Sequence, residues 1–393
     1  MTDYILLRRQ QYEQQPVNLY RPQTVDELLG VLSTFDCRDE VAYDFETTGV
    51  SVHLDDIVSL GLSDGQTSVS IWLVDPELRL AACEWLLTKR LIAHNYIFDG
   101  LFITKYTGQV PWPYRDTLIM FKSLANEGIK GQKWTLKTAM TDVLGWPTAN
   151  NDELKAYMKE HRCQFHEVDW AILGKYNGLD ALATWQLWEY FETFTDQFPA
   201  LSDFWDTEWC HLLALLMEQC WNGLTVDVDK YIAHDKALSE EQGEFLGLFF
   251  VEVQPHIDAY NNAVVSQIPP PKKPTKKDGS DSAAMAKYHA KMQAAKEANH
   301  FSVDSNDALC WLFYDRLGYP VAARTPAGKP SVDKKSLGKL GKPGQLLAKY
   351  RKKRDERKHI VGLLGSKIGA RVHPDIRPHG SITGRCSSGS ELV

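Results

Sequence analysis

Apolar and polar positions change period several times along this chain of 393 residues. Residues 41–45 (Val-Ala-Tyr-Asp-Phe) form a short apolar run that predicts a strand ending at a carboxylate. Residues 57–63 and 67–73 alternate with the strand period. Asp64-Gly65 between them predicts a hairpin. Helical spacing follows over about 77–88 and 97–107, with a short strand, 91–93, between. Further helices are expected over 115–126, 134–145, 151–160 and 177–195. A three-strand meander followed by alternating helix and strand predicts an α/β region, a mixed sheet flanked by helices. From 203 to 221, Phe204, Leu212, Leu213, Leu215 and Leu216 keep helical spacing, and Asn222-Gly223 stops that helix. Residues 224–227 are extended, and 229–260 and 301–365 are mostly helical. The stretch 262–300 breaks the pattern. Its Pro- and Lys-rich run from Ile268 to Ser280 reads as a solvated insertion, with a basic surface helix over 283–298.

Length and a hydrophobic share of 44% allow two or three domains with their own cores. They exclude collagen-like and wholly disordered classes. No apolar run reaches the 18 or so residues of a membrane span, and Met1-Thr2-Asp3-Tyr4 does not begin a secretory signal. The seven cysteines form no C-x-x-C pair, which points to a reducing compartment, the cytoplasm. The net charge of −7 conceals a division. Residues 1–200 carry 17 basic and 28 acidic side chains, residues 201–270 carry 2 and 12, and residues 271–393 carry 25 and 11. The last third is strongly basic and suits a polyanion.

Three short patterns carry chemistry. In Asp44-Phe45-Glu46, two carboxylates two apart on a strand share a face and repel. A hard divalent cation, Mg²⁺ or Mn²⁺, reconciles them. In His94-Asn95-Tyr96-Ile97-Phe98-Asp99, a strand runs into a helix and places Asp99 in the first turn. In Tyr176-Asn177-Gly178-Leu179-Asp180, the i and i+4 spacing puts a phenol and a carboxylate on one helix face. Four carboxylates from three elements can ring two divalent ions suited to phosphodiester hydrolysis.

Taken in this order, D-x-E, N-x-x-x-D and Y-x-x-x-D resemble the three exonuclease motifs of the DEDD superfamily, in its tyrosine-containing branch. The resemblance implies a ribonuclease H-like fold, 3′→5′ polarity and release of nucleoside 5′-monophosphates. It implies that Asp44, Glu46 and Asp180 hold one metal ion, that Asp44 and Asp99 hold the second, and that Tyr176 orients the attacking water. It also implies that Asn95 supports the substrate or the site, and that Phe45, Thr47, Thr48 and Gly49 line the 3′-terminal nucleotide. Asp116-Thr117 matches a further recurrent pattern of such domains.

The second half is similar to the thumb of family A (DNA polymerase I-like) polymerases. The likeness lies in Asn222–Asp227, Phe301–Ser305, Leu317–Pro320, Arg324–Asp333 and the basic Tyr350–Arg354. Arg371–Pro374 and Thr383–Ser388 resemble the entry to the palm. These likenesses imply an exonuclease domain over 1–197, a helical thumb-like domain over 198–368 and the start of a palm over 369–393. They also imply duplex DNA held through Arg351, Lys352, Lys353, Arg354, Arg357, Lys358 and Arg385, with a single-stranded 3′ end at the exonuclease site. The family's polymerase metal site lies beyond Thr-Gly-Arg-x-Ser-Ser, so this chain is not expected to polymerise alone. A separate palm-and-fingers chain is one expected partner. A processivity factor is another, because some phage members carry one on a thumb insertion. The alternatives are a DNA-binding subunit of a split polymerase and a ribonuclease D-like RNA exonuclease.

Overall fold

The computed structural model describes residues 12–125, 134–147, 149–267, 290, 293, 300–378, 380 and 385–388. The predicted helix over 283–298 therefore lies outside the described residues, apart from positions 290 and 293. Two compact units emerge, Met1–Thr225 with Ser366–Val393, and Val226–Gly365.

The first unit is built on a six-stranded mixed sheet of order β1-β4-β3-β2-β5-β6. Its strands are β1 (Val17–Tyr20), β2 (Glu40–Thr47), β3 (Ile57–Ser63), β4 (Ser68–Trp72), β5 (Arg90–Ala93) and β6 (Pro113–Asp116). β2, β3 and β4 pair antiparallel, while β5 runs parallel to β2 and β6 parallel to β5. The expected hairpin is present, with Gly65 at φ 80° in its turn, where a left-handed conformation favours glycine. β1 was not anticipated, because only one of its four residues is more than superficially covered and its pattern carries no alternation.

Along this sheet lie α1 (Val25–Leu32), α2 (Pro76–Leu86), α3 (Tyr96–Thr107), α4 (Thr117–Leu124), α5 (Leu136–Asp142), α6 (Ala149–His161) and α7 (Trp170–Glu192). The helix expected to start at 115 starts at Thr117. Asp116 ends β6 and caps the helix, accepting the Leu118 N–H at 2.9 Å. α7 begins seven residues before its expected start because the Asp169 carboxylate accepts the Ala171 N–H at 2.8 Å. A helical run continues through α8 (Pro199–Asp203), a π-helical turn (Phe204–Trp209) and α9 (Cys210–Asn222). These helices belong to the unit of the sheet and not to the thumb-like domain expected over 198–368. Trp205, Trp209, Leu213, Leu216 and Met217 join the same core as the strands. β7 (Leu224–Thr225) pairs antiparallel with β8 (Arg371–Val372), and β9 (Ile376–Arg377) with β10 (Ser387–Ser388).

The second unit is helical. It comprises α10 (Val228–Gln267), α11 (Asn306–Cys310) with a π-helical turn (Trp311–Arg316), α12 (Lys334–Leu337) and α13 (Gly341–Ser366). Phe249, Val253, Leu309, Leu312, Phe313 and Leu347 form its core. The expected row of free cations on α13 needs correction. Arg351 donates to the carbonyls of Val332 (2.7 Å) and Val303 (3.2 Å). Arg357 binds both oxygens of Asp235 (2.9 and 3.2 Å) and Gln242 (3.1 Å). Lys353 pairs with Glu241 at 2.8 Å, Arg354 with Asp304, and Lys352 lies 3.8 Å from Glu356. These charges are engaged within the unit rather than standing free, although pairs this exposed each add little stability. Lys358 is exposed. Arg385, in the other unit, has partners of its own. No helix among the described residues is long and apolar enough to cross a membrane.

Candidate active site

β2 alternates sharply. Tyr43 and Phe45 are buried in the core, and their rings meet edge to face at 5.5 Å. Asp44 and Glu46 point to the opposite face. This corrects the expectation for Phe45: the period that aligns the two acids turns its ring away from any substrate. A β-bulge between Glu46 and Thr47 ends the regular register. In the loop that follows, the Thr47 hydroxyl donates to Gly49 O (2.6 Å) and the Thr48 hydroxyl to Asp55 (3.1 Å). Asp55 also accepts the Ser51 N–H at 2.9 Å, and a Cβ at Gly49 would lie 2.4 Å from its carboxylate. Both threonines brace the loop itself.

Asp44, Glu46 and Asp180 each present an oxygen, and these oxygens lie within 4.8 Å of one another. Asp99 stands beside them but outside that group. Its carboxylate is buried and accepts the Phe45 N–H at 3.1 Å, clamping α3 to β2. Tyr176 stands beside Asp180, one turn before it on α7. Burial and the mutual repulsion of the acids shape their protonation. Burial first and Asp180 second push Asp44 up to about 8, against Lys137 and an Asn177 hydrogen bond. Glu46 and Asp99 are driven well above the carboxylate range by burial, then by neighbouring Asp44. The Tyr176 phenol is also raised, by burial and then by Asp180, Glu46 and Asp44, so it keeps its proton.

Two further residues, Asn177 and Lys137, contribute to the site. Asn177 is fully buried. Its amide donates to Asp44 O and Asp44 Oδ2, both at 3.0 Å, and its carbonyl accepts from Ser59 (3.0 Å) and Ser70 (2.8 Å). One side chain thus ties α7 to β2, β3 and β4. Its signal was adjacency, since it sits between Tyr176 and Asp180. Lys137 on α5 contacts both Asp180 oxygens, and its ammonium lies 3.9 Å from the Tyr176 ring centroid. Nothing in its sequence neighbourhood marked it.

The turn from β5 into α3 is held by Asp116. Its carboxylate accepts the Asn95 N–H at 3.0 Å and the Tyr96 N–H at 2.9 Å, fixing Asn95 at φ 72°, a left-handed conformation. His94 beside it bonds Thr117 (2.9 Å) and Trp134 O (3.3 Å), and burial lowers its pKa to about 4. The unfolded chain therefore takes up this proton first. Its contribution is complete above pH 6.5 and is lost as pH falls toward 4. His94→Gln is expected to flatten that acid loss, on the order of 2 kcal/mol, in urea titrations compared at pH 7 and 4.5. Equal acid sensitivity of the two proteins would refute it.

A cleft of about 680 Å³ opens beside this turn. Asn95, Phe98, Trp134, Lys122, His53 and Arg377 are among its lining residues, and so is Val50 from the loop after β2. Thr47, Thr48 and Gly49 do not line it.

No family model and no curated protein matches the chain. Among solved structures, the chain is similar to the POL domain of Pol1 from M. smegmatis in complex with DNA primer-template and dNTP. The TM-score is 0.60 at 16% identity, over 94% of this chain and 54% of that one. The chain therefore has a DNA polymerase I-like fold and spans about half the length of that relative. The acids fit a divalent ion by their own chemistry. Three hard oxygen donors converge from a strand and a helix, the donor set that a hard divalent ion takes.

Proposed function

We propose that the first unit is a ribonuclease H-like 3′→5′ exonuclease that removes nucleotides from DNA ends. The observation that carries this reading is the convergence of Asp44, Glu46 and Asp180, with Tyr176 one turn from Asp180 and Asp99 clamped beside them. The three motifs lie far apart in sequence, and the sheet order with α7 across it gathers them. The polymerase-like fold supports a nucleic-acid substrate.

Asp44, Glu46 and Asp180 would hold Mg²⁺ or Mn²⁺, and Asp99 with Asp44 would serve a second ion. When bound, such ions activate water and stabilise the leaving oxygen. The chain's own residues do the rest. Asn177 fixes the Asp44 carboxylate and leaves its other oxygen free for the site. Tyr176, held neutral, acts as a hydrogen-bonding guide for the attacking water rather than as a base. Phe98 and Trp134 line the cleft as apolar surface for unpaired bases, and Lys122 and Arg377, the latter paired with Asp375, bring positive charge to its wall. On this reading the second unit is a thumb that grips duplex DNA, through exposed cations such as Lys358 more than through the paired ones.

The test is incubation with 5′-labelled single-stranded DNA or RNA and Mg²⁺ or Mn²⁺. A ladder of shortened DNA products is expected. Intact DNA would overturn the reading, and faster trimming of RNA would move it to an RNA exonuclease.

A further inference from the structure

The acid cluster already contains one cation, and it comes from the chain. Lys137 projects from α5, a helix anchored through buried Leu136, Ala139 and Met140. Its ammonium reaches both oxygens of Asp180 and lies 3.9 Å from the centre of the Tyr176 ring. It therefore uses the oxygen lone pairs that Asp180 would offer to a metal ion. We infer that Lys137 is a tethered counter-cation that occupies the divalent-ion position at Asp180 and is displaced when the ion binds. The inference rests on reading Asp44, Glu46 and Asp180 as metal ligands.

The physical argument is competition for one carboxylate. An Asp180 oxygen engaged by an ammonium cannot at the same time bind a metal ion at coordination distance on the same lone pair. Three acids whose oxygens lie within 4.8 Å of one another favour some cation, because like charges at this range repel even at an effective dielectric of about 20. A lysine suits a displaceable role. Its charge is a single point on a flexible four-carbon stem, without the rigid fork by which arginine locks onto a carboxylate. The side chain is 27% exposed, so it has a path outward. The Tyr176 face gives the charge a second, weaker resting place within the site.

Two consequences follow. Without metal, Lys137 keeps α5 joined to α7 and Asp180 aimed at Asp44 and Glu46, so the site is pre-formed. In the presence of metal, the ion must expel the ammonium, which raises the ion concentration needed to fill the site. Lys137 is a positioning residue here, since its effect runs through Asp180.

The experiment uses the full chain and Mn²⁺ alone, with binding read by the loss of the free Mn²⁺ electron paramagnetic resonance signal. Lys137→Met should bind Mn²⁺ about tenfold more tightly than the wild type, at unchanged stoichiometry. Lys137→Arg should stay at or below wild-type affinity. In EDTA, Lys137→Met should melt below the wild type, and saturating Mn²⁺ should close that gap. Lys137→Gln provides a second neutral variant if the methionine form folds poorly, which circular dichroism reports. Equal or weaker Mn²⁺ affinity in the neutral variants overturns the counter-cation role. Absence of Mn²⁺ binding by the wild type and the variants alike overturns the metal reading itself, and the counter-cation role with it.

Discussion

Asp44→Asn is expected to abolish DNA shortening while leaving the metal-free protein as stable as the wild type, or more so. The two effects share one cause. Asp44 sits in a crowd of acids where burial and Asp180 push its pKa up to about 8. A carboxyl raised in the folded state binds protons that the unfolded chain, near 4, has already lost. The metal-free wild type must therefore lose stability as pH rises from about 4 to 8. Asparagine carries no proton to lose and still offers an oxygen to the Asn177 amide, which donates to Asp44 Oδ2 at 3.0 Å. Melting in EDTA across pH 5 to 8 should thus fall less steeply for the variant. Activity should fall on the order of 10³-fold or more, because a neutral amide is a poor ligand for a hard cation and metal-assisted attack depends on that charge. A variant that shortens labelled DNA at the wild-type rate would remove Asp44 from the site.

The legibility of this molecule in its sequence follows the range of each interaction. Strands β2 to β5 and the hairpin turn were visible because short apolar runs, alternating side chains and Asp-Gly are local signals. The pairing of Tyr176 with Asp180 was visible because four residues on a helix are neighbours. Lys137 was invisible. It reaches Asp180 over a separation of 43 residues, and a lysine in an ordinary helical segment has no distinguishing spacing. Phe45 misled for the opposite reason. Family likeness pointed to a substrate contact, while the strand alternation that aligns Asp44 with Glu46 sends the ring between them into the core. On α13 the cations were correctly located, but their acidic partners on α10 lie 112 to 122 residues away. Several cations of the basic last third are thus paired within the chain, and net charge by segment overstated what is free for a phosphate backbone.

Gly61→Ala is expected to injure the site from beneath. Gly61 lies on β3, opposite Asp44 in the sheet register. A Cβ there would stand 2.6 Å from the Asn177 carbonyl oxygen and 3.0 Å from its carbonyl carbon. That backbone belongs to the buried middle of α7, so it cannot swing aside as a surface side chain could. α7 must lift from the sheet, or the strand must bow. Overpacking of this kind costs about 1–3 kcal/mol. Asp180 and Tyr176 ride on α7, whereas Asp44 and Glu46 stay on β2, so a lift of a few tenths of an ångström widens the gap between the two halves of the site. Positional errors approaching 1 Å cost reaction rates about 10²-fold, so this smaller shift is expected to cost nuclease activity on the order of tenfold, with weaker Mn²⁺ binding. Gly30→Ala is the matched control. It lies within α1 with nothing within 4 Å of the new Cβ, and it should stabilise slightly through helix propensity. If Gly61→Ala keeps both its melting temperature and its Mn²⁺ affinity, α7 is not seated by this contact and the geometry of the site has another source.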